Sequence, residues 1–165
     1  MSAPGPEWAY VGLGANLGPA EQTIVQAVEA LRAHTHISVN ACSSLWCSAA
    51  QDAAGPHYFN AVVRVHTLLS ARQLLEQLLA LEQQYGRLRP YPNAPRTLDL
   101  DLLLYDNLVL NAPDLTLPHP RMHLRAFVLE PLAEIDPDLH IPLRGPLDHW
   151  REQARHQILH RVRSL

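Results

Sequence analysis

The segment Arg96-Thr97-Leu98-Asp99-Leu100-Asp101-Leu102-Leu103-Leu104-Tyr105 decides the fold. Acidic and apolar residues alternate in it with a period of two, the side-chain period of a β-strand. As a strand, the run sends Asp99 and Asp101 out of one face and buries Leu98, Leu100 and Leu102 on the other. Carboxylates side by side on a rigid strand repel at neutral pH unless a divalent cation bridges them, and hard oxygen ligands suit Mg²⁺. Arg87, Arg89 and Arg96 lie just upstream, so the neighbourhood reads as a cation with a polyphosphate held by guanidinium forks. The plainer alternative is that the carboxylates pair with Arg87 and Arg96 on a solvated sheet face. Spacing alone leaves both open.

Working upstream, residues 88–95 carry three prolines and cannot continue a helix. Before them, residues 70–85 are strongly helical, with Ser70 as N-cap and Gly86 as the stop. Residues 58–65 alternate as a strand that presents Tyr58 and Asn60 on one face. Residues 47–57 read as a long irregular binding loop, residues 37–44 as a strand, and residues 19–33 as a helix whose stripe is Ile24, Ala27, Val28 and Leu31. A first strand, residues 8–14, runs into Gly14-Ala-Asn-Leu-Gly18. Downstream of the aspartates, the turn Asp106-Asn107 suggests a partner strand near 108–110, and Pro118-His119-Pro120 is a fixed bend. Helices are expected over 122–135 and, as a polar tail, over 147–162. The order strand, helix, strand, strand, helix, strand fits an α+β ferredoxin-like sandwich, with helices over one face of an antiparallel sheet.

At 165 residues the chain is expected to be one catalytic domain, with its core at about residues 8–142. A net charge of −3 gives no global field for nucleic acid. Two cysteines, Cys42 and Cys47, suit a reducing cytoplasm, and no apolar run approaches the roughly 20 residues of a membrane span. The ten histidines are scattered, without the spacing of a zinc site.

No Walker sequence occurs, and Gly12-Leu-Gly14-Ala-Asn-Leu-Gly18 misses the dinucleotide spacing, so a nucleotide would be held through arginines. Tyr58, Asn60 and Phe127 suggest a flat heterocycle sandwiched by rings and read by an amide, with ordinary core aromatics as the alternative. His119 could donate to phosphate or cap a chain end. Glu82 could reach the same place or be a surface residue.

Taken together, these residues resemble the 6-hydroxymethyl-7,8-dihydropterin pyrophosphokinase family of the folate pathway, over about residues 10–142. The most specific part is Ala94-Pro-Arg-Thr-Leu-Asp-Leu-Asp-Leu-Leu103. Supporting pieces are the Gly12 to Gly18 run, Tyr58-Phe-Asn60, Glu82 through Gly86-Arg87, Pro118-His-Pro-Arg-Met122 and Arg125-Ala-Phe127. The resemblance implies ATP as co-substrate, AMP as by-product, and two Mg²⁺ ions on Asp99 and Asp101. It implies a pterin stacked between Tyr58 and Phe127, its edges read by Asn60 and by backbone near Ser48 and Ala50. Arg87, Arg96, His119 and Arg125 would contact ATP, Arg89 would close over it, Glu82 would stand near it, and Leu102 would line the adenine pocket. The implied partners are small molecules alone, with a monomer acting in the cytoplasm. A ferredoxin-like cation-binding module without catalysis is the rival class, and a γ-phosphate kinase is a second enzyme reading. Pro92, Asn93 and Ser48-Ala-Ala50 depart from the usual family pattern, which bears on loop closure rather than on reaction class.

Overall fold

A computed structural model describes residues 6–48, 57–85 and 98–165. Strand β1 (Glu7–Ala15) lies between β4 (Tyr58–Thr67) and β5 (Asp99–Tyr105), antiparallel to both. Strands β2 (Ile37–Cys42) and β3 (Leu45–Ser48) both pair with β4, as one ribbon broken at Ser43-Ser44. The last strand, β10 (Leu159–Arg163), adds outside β3, giving the order β10-β3-β4-β1-β5. With β2 and β3 counted as one strand, β1, α1 (Ala20–Ala33), β2/β3, β4, α2 (Ala71–Tyr85) and β5 follow the ferredoxin-like order.

The two-residue period sorts the sheet into two cores. On one face Val11, Leu13, Val63, Leu98, Leu100 and Leu102 pack with Ile24, Val28 and Leu31 of α1 and Leu74 and Leu78 of α2. Helix α2 opens with a reciprocal capping box: Gln73 N–H donates to Ser70 Oγ at 3.2 Å, and Ser70 N–H donates to Gln73 Oε1 at 2.8 Å. On the other face Tyr10, Val62, Leu103 and Leu104 pack under Met122, Leu129 and Leu132. Helix α3 (Ala126–Ile135) therefore covers the face opposite α1 and α2, whereas the sequence places all helices on one face.

Other boundaries also differ. Asp106 turns the chain at φ 47°, and its N–H donates to Trp8 O at 2.6 Å, so the chain leaves β5 instead of folding back on it. The expected partner strand appears as β6 (Leu110–Asn111), which pairs with β7 (Thr116–Leu117) and not with β5. The helix expected over 122–135 is a 3-10 turn, Met122–Leu124, and then α3, separated at an extended Arg125. Gln157 fixes that break: Ala126 N–H donates to its Oε1 at 2.9 Å and its Nε2 donates to Leu124 O at 2.8 Å. The minor strands β8 (His140–Ile141) and β9 (Gly145–Pro146) form a short hairpin before the tail. The expected tail helix is helical over α4 (Leu147–Gln153) only, and its last part is β10.

Candidate active site

Strand β5 presents the aspartates as its alternation demands. Leu98, Leu100 and Leu102 are buried on the helix face, while Asp99 is exposed and Asp101 half-buried on the other. Their strand neighbours are glycines: Asp99 is in register with Gly14, and Asp101 with Gly12. The absent side chains let neighbours close in over the strand: a Cβ on Gly12 would meet Leu103 Cδ1 at 3.4 Å, and one on Gly14 would meet Asn60 Nδ2 at 3.0 Å.

The row through Asp99 continues across Gly14 to Asn60 of β4, and from Asn60 to Trp46 of β3. Two inter-strand steps put the Asp99 and Asn60 backbones about 10 Å apart, with only a glycine between. Asn60 is 6% exposed, and its Oδ1 has no hydrogen-bond partner among the described residues. A buried acceptor without a donor is costly unless something supplies one. Tyr58, two residues earlier on β4, is 44% exposed and in register with Ser48 of β3. Cys47 and Ser48, read from sequence as loop, are the end of β3.

From the other side, α3 packs on β3 and β4 and brings Phe127, half-buried, beneath the Arg125 guanidinium at 5.4 Å from its ring centroid. His119 is pinned beside β5, its N–H donating to Leu103 O at 2.9 Å. Its Nδ1 accepts Arg121 N–H at 3.1 Å, so the proton of the neutral ring sits on Nε2. Burial holds the His119 pKa below the ordinary histidine value, with Arg125 and Arg121 acting in the same direction and Asp101 opposing them.

Glu82 is not a surface residue. At 5% exposure it lies between α2 and β5, and its Oε2 accepts Leu100 N–H at 2.7 Å, fixing the backbone between the two aspartates. Leu102 is 3% exposed within the α1/α2 core and is not brought to the carboxylate face. Arg87, Arg89, Arg96 and Ala50 lie outside the described residues, as do most of the two loops expected to close, residues 47–57 and 88–95. Trp46 and Glu134 escape sequence reasoning, because an indole in an apolar strand and an acid near a helix end read as ordinary core and surface. Among the described residues, two cavities of about 640 and 610 Å³ lie away from the aspartates, one beside the start of α1 and one beside its end.

An α+β sandwich with paired acids on an edge strand, glycines beside them and a buried amide across the floor suits a group-transfer enzyme for a small molecule or a cation-binding module. Comparison with known proteins makes this specific. Residues 10–137 match the model of the 7,8-dihydro-6-hydroxymethylpterin-pyrophosphokinase (HPPK) family. The chain is 45% identical over 137 residues to the 2-amino-4-hydroxy-6-hydroxymethyldihydropteridine pyrophosphokinase of Synechocystis sp., covering 83% of this chain and 70% of that one. It is 40% identical over 134 residues to the enzyme of the same name from Pseudomonas aeruginosa, covering 81% and 83%. In fold it is similar to Plasmodium falciparum HPPK-DHPS, with TM-score 0.73 at 11% identity over 92% of this chain and 45% of that one. It thus spans under half the length of that two-part protein. The chain belongs to the 7,8-dihydro-6-hydroxymethylpterin-pyrophosphokinase family, and its reaction is pyrophosphoryl transfer in folate biosynthesis. Family membership sets aside the rival reading of a cation-binding module without catalysis.

Proposed function

We propose that this transfer, from ATP to the hydroxymethyl oxygen of 6-hydroxymethyl-7,8-dihydropterin with release of AMP, depends on Mg²⁺ held by Asp99 and Asp101. The observation that carries the reading is the row Asp99, Gly14, Asn60, in which a carboxylate and a buried, unpartnered amide oxygen share one sheet face across a glycine. The donor set fits the ion. Among the described residues no three His, Cys, Asp or Glu side chains cluster as a cage, and Mg²⁺ takes one or two carboxylates and completes its octahedron with water and phosphate oxygens. When bound, two such ions would neutralise the polyphosphate and lower the charge barrier to in-line attack.

The chain's own groups supply alignment. Asn60 Oδ1 accepts from the edge of the pterin, and Tyr58 and Phe127 confine its plane, Phe127 being backed by Arg125. His119 offers Nε2–H to phosphate as a neutral donor, and Arg125 adds a fixed positive charge. Arg87, Arg89 and Arg96 complete the phosphate contacts, and Ser48 and Ala50 the pterin edge. Glu82 acts on β5 through the Leu100 amide. No helix of the described residues is long and apolar enough to cross a membrane, and we place the enzyme in the cytoplasm, acting as a monomer on small molecules.

The test is to incubate the protein with ATP and the reduced pterin alcohol while titrating Mg²⁺ against a chelator. AMP should form and should vanish with the metal. Full AMP production in excess chelator would overturn the metal assignment, and ADP in place of AMP would overturn the transfer itself.

A further inference from the structure

The pterin slot has two walls on different elements, β3/β4 and α3, and one carboxylate joins them. Glu134 stands seven residues after Phe127 on α3, so both leave one stripe of the helix, about 10 Å apart along its axis. Its carboxylate accepts three hydrogen bonds, two from the β2/β3 break, Ser44 N–H at 3.1 Å and Ser44 Oγ–H at 2.8 Å, and one from β3, Trp46 Nε1–H at 2.5 Å. That break is itself fastened to β4. Ser43 N–H donates to Val62 O at 2.9 Å, and Val62 N–H donates to Ser43 Oγ at 2.9 Å.

Trp46 is the register partner of Asn60, and Ser48 the partner of Tyr58. The indole therefore stands beside the orphan amide on the carboxylate face, with its N–H aimed at α3. We propose that Glu134 is a positioning residue for the pterin: it fixes the distance between the wall bearing Asn60 and Tyr58 and the wall bearing Phe127. The inference rests on the pterin reading of those three residues. Ionised acceptors make the stronger hydrogen bonds, and three convergent donors leave the carboxylate little freedom. A slot for a flat ring tolerates little slack, because stacking and edge hydrogen bonds both fail within about 1 Å of misplacement. Glu134 touches no reacting atom, so its signature is substrate-selective.

The experiment compares Glu134→Gln, Trp46→Phe, their double variant and Asn60→Ala, measuring pterin affinity beside a non-hydrolysable ATP analogue and separate KM values for pterin and ATP. Glu134→Gln should weaken pterin binding about tenfold, with the KM for ATP within about twofold of the parent. Trp46→Phe keeps the ring and removes one donor, so it should show a smaller shift of the same kind. The double variant should resemble Glu134→Gln instead of summing the two. Should Glu134→Gln not fold, Trp46→Phe carries the test alone. Equal losses for ATP and pterin, or pterin affinity unchanged in both single variants while Asn60→Ala weakens it, would overturn the positioning role. Pterin affinity unchanged in Asn60→Ala would instead overturn the underlying pterin reading.

Discussion

Gly14 and Asn60 face each other across the β1–β4 ladder, and a Cβ built on Gly14 would lie 3.0 Å from Asn60 Nδ2. That is tighter than ordinary carbon–nitrogen contact, so any side chain at position 14 must push the amide away from where it now sits. Gly14→Ala should therefore weaken pterin affinity by about three- to tenfold through Asn60. The melting temperature should barely move, because the displaced group is a side-chain terminus and not backbone. Calorimetric titration with the pterin, beside thermal melts of both proteins, checks this; unchanged affinity would show that Asn60 does not read the ring.

Asp101 is half-buried and in register with Gly12, on the row adjoining Asp99 and Gly14. If the pair holds the ions that neutralise the triphosphate, Asp101→Ala should lower kcat by about two or more orders of magnitude. Circular dichroism should be unchanged, since no core packing is lost. Single-turnover measurement of AMP is the check, and near-parental turnover would remove the metal assignment.

Glu82 presents a different kind of carboxylate. It is 5% exposed and accepts the Leu100 amide at 2.7 Å, between the two aspartates, so its loss leaves a buried donor unmet and loosens β5. Glu82→Ala should cost about 1 to 3 kcal/mol of stability, read by urea unfolding. Turnover should fall more than this loss of folded protein explains, because the strand that aligns Asp99 and Asp101 has lost its outer support.

Much of this was legible in the chain because a period of two assigns faces without knowledge of the partners. Asp99 and Asp101 outward, Leu98, Leu100 and Leu102 inward, and Tyr58 with Asn60 on one side of β4 all follow from alternation alone. Features set by distant partners were hidden. Leu159–Arg163 reads as polar helix, since Leu159 and Val162 are three apart, and becomes a strand only because β3 offers a free edge. The break in the helix expected over 122–135 is fixed by Gln157, some thirty residues away in sequence. Glu82 and Glu134 look alike as helical acids, and only the donors they meet, at Leu100 and at Ser44 and Trp46, distinguish them.

His119 gives a pH signature of determinate sign. Burial depresses its pKa below the ordinary value of 6.5, helped by Arg125 and Arg121 and opposed by Asp101; His123, 6% exposed against Trp150, is depressed by burial and then by Arg144. A histidine depressed in the fold binds fewer protons than its unfolded counterpart. Stability is therefore complete above the ordinary value and is lost as pH falls through and below it. Melting temperature should fall between about pH 7.5 and about pH 5.5, and His119→Gln should flatten part of that slope. Phosphates near Nε2 act in the opposite direction by favouring the charged ring, so ATP binding near pH 6.5 should take up protons through His119. Titration calorimetry in buffers of different ionisation enthalpy measures that uptake directly. The difference between parent and His119→Gln isolates the ring from the nucleotide's own titration, and an equal uptake in both would place the phosphates away from His119.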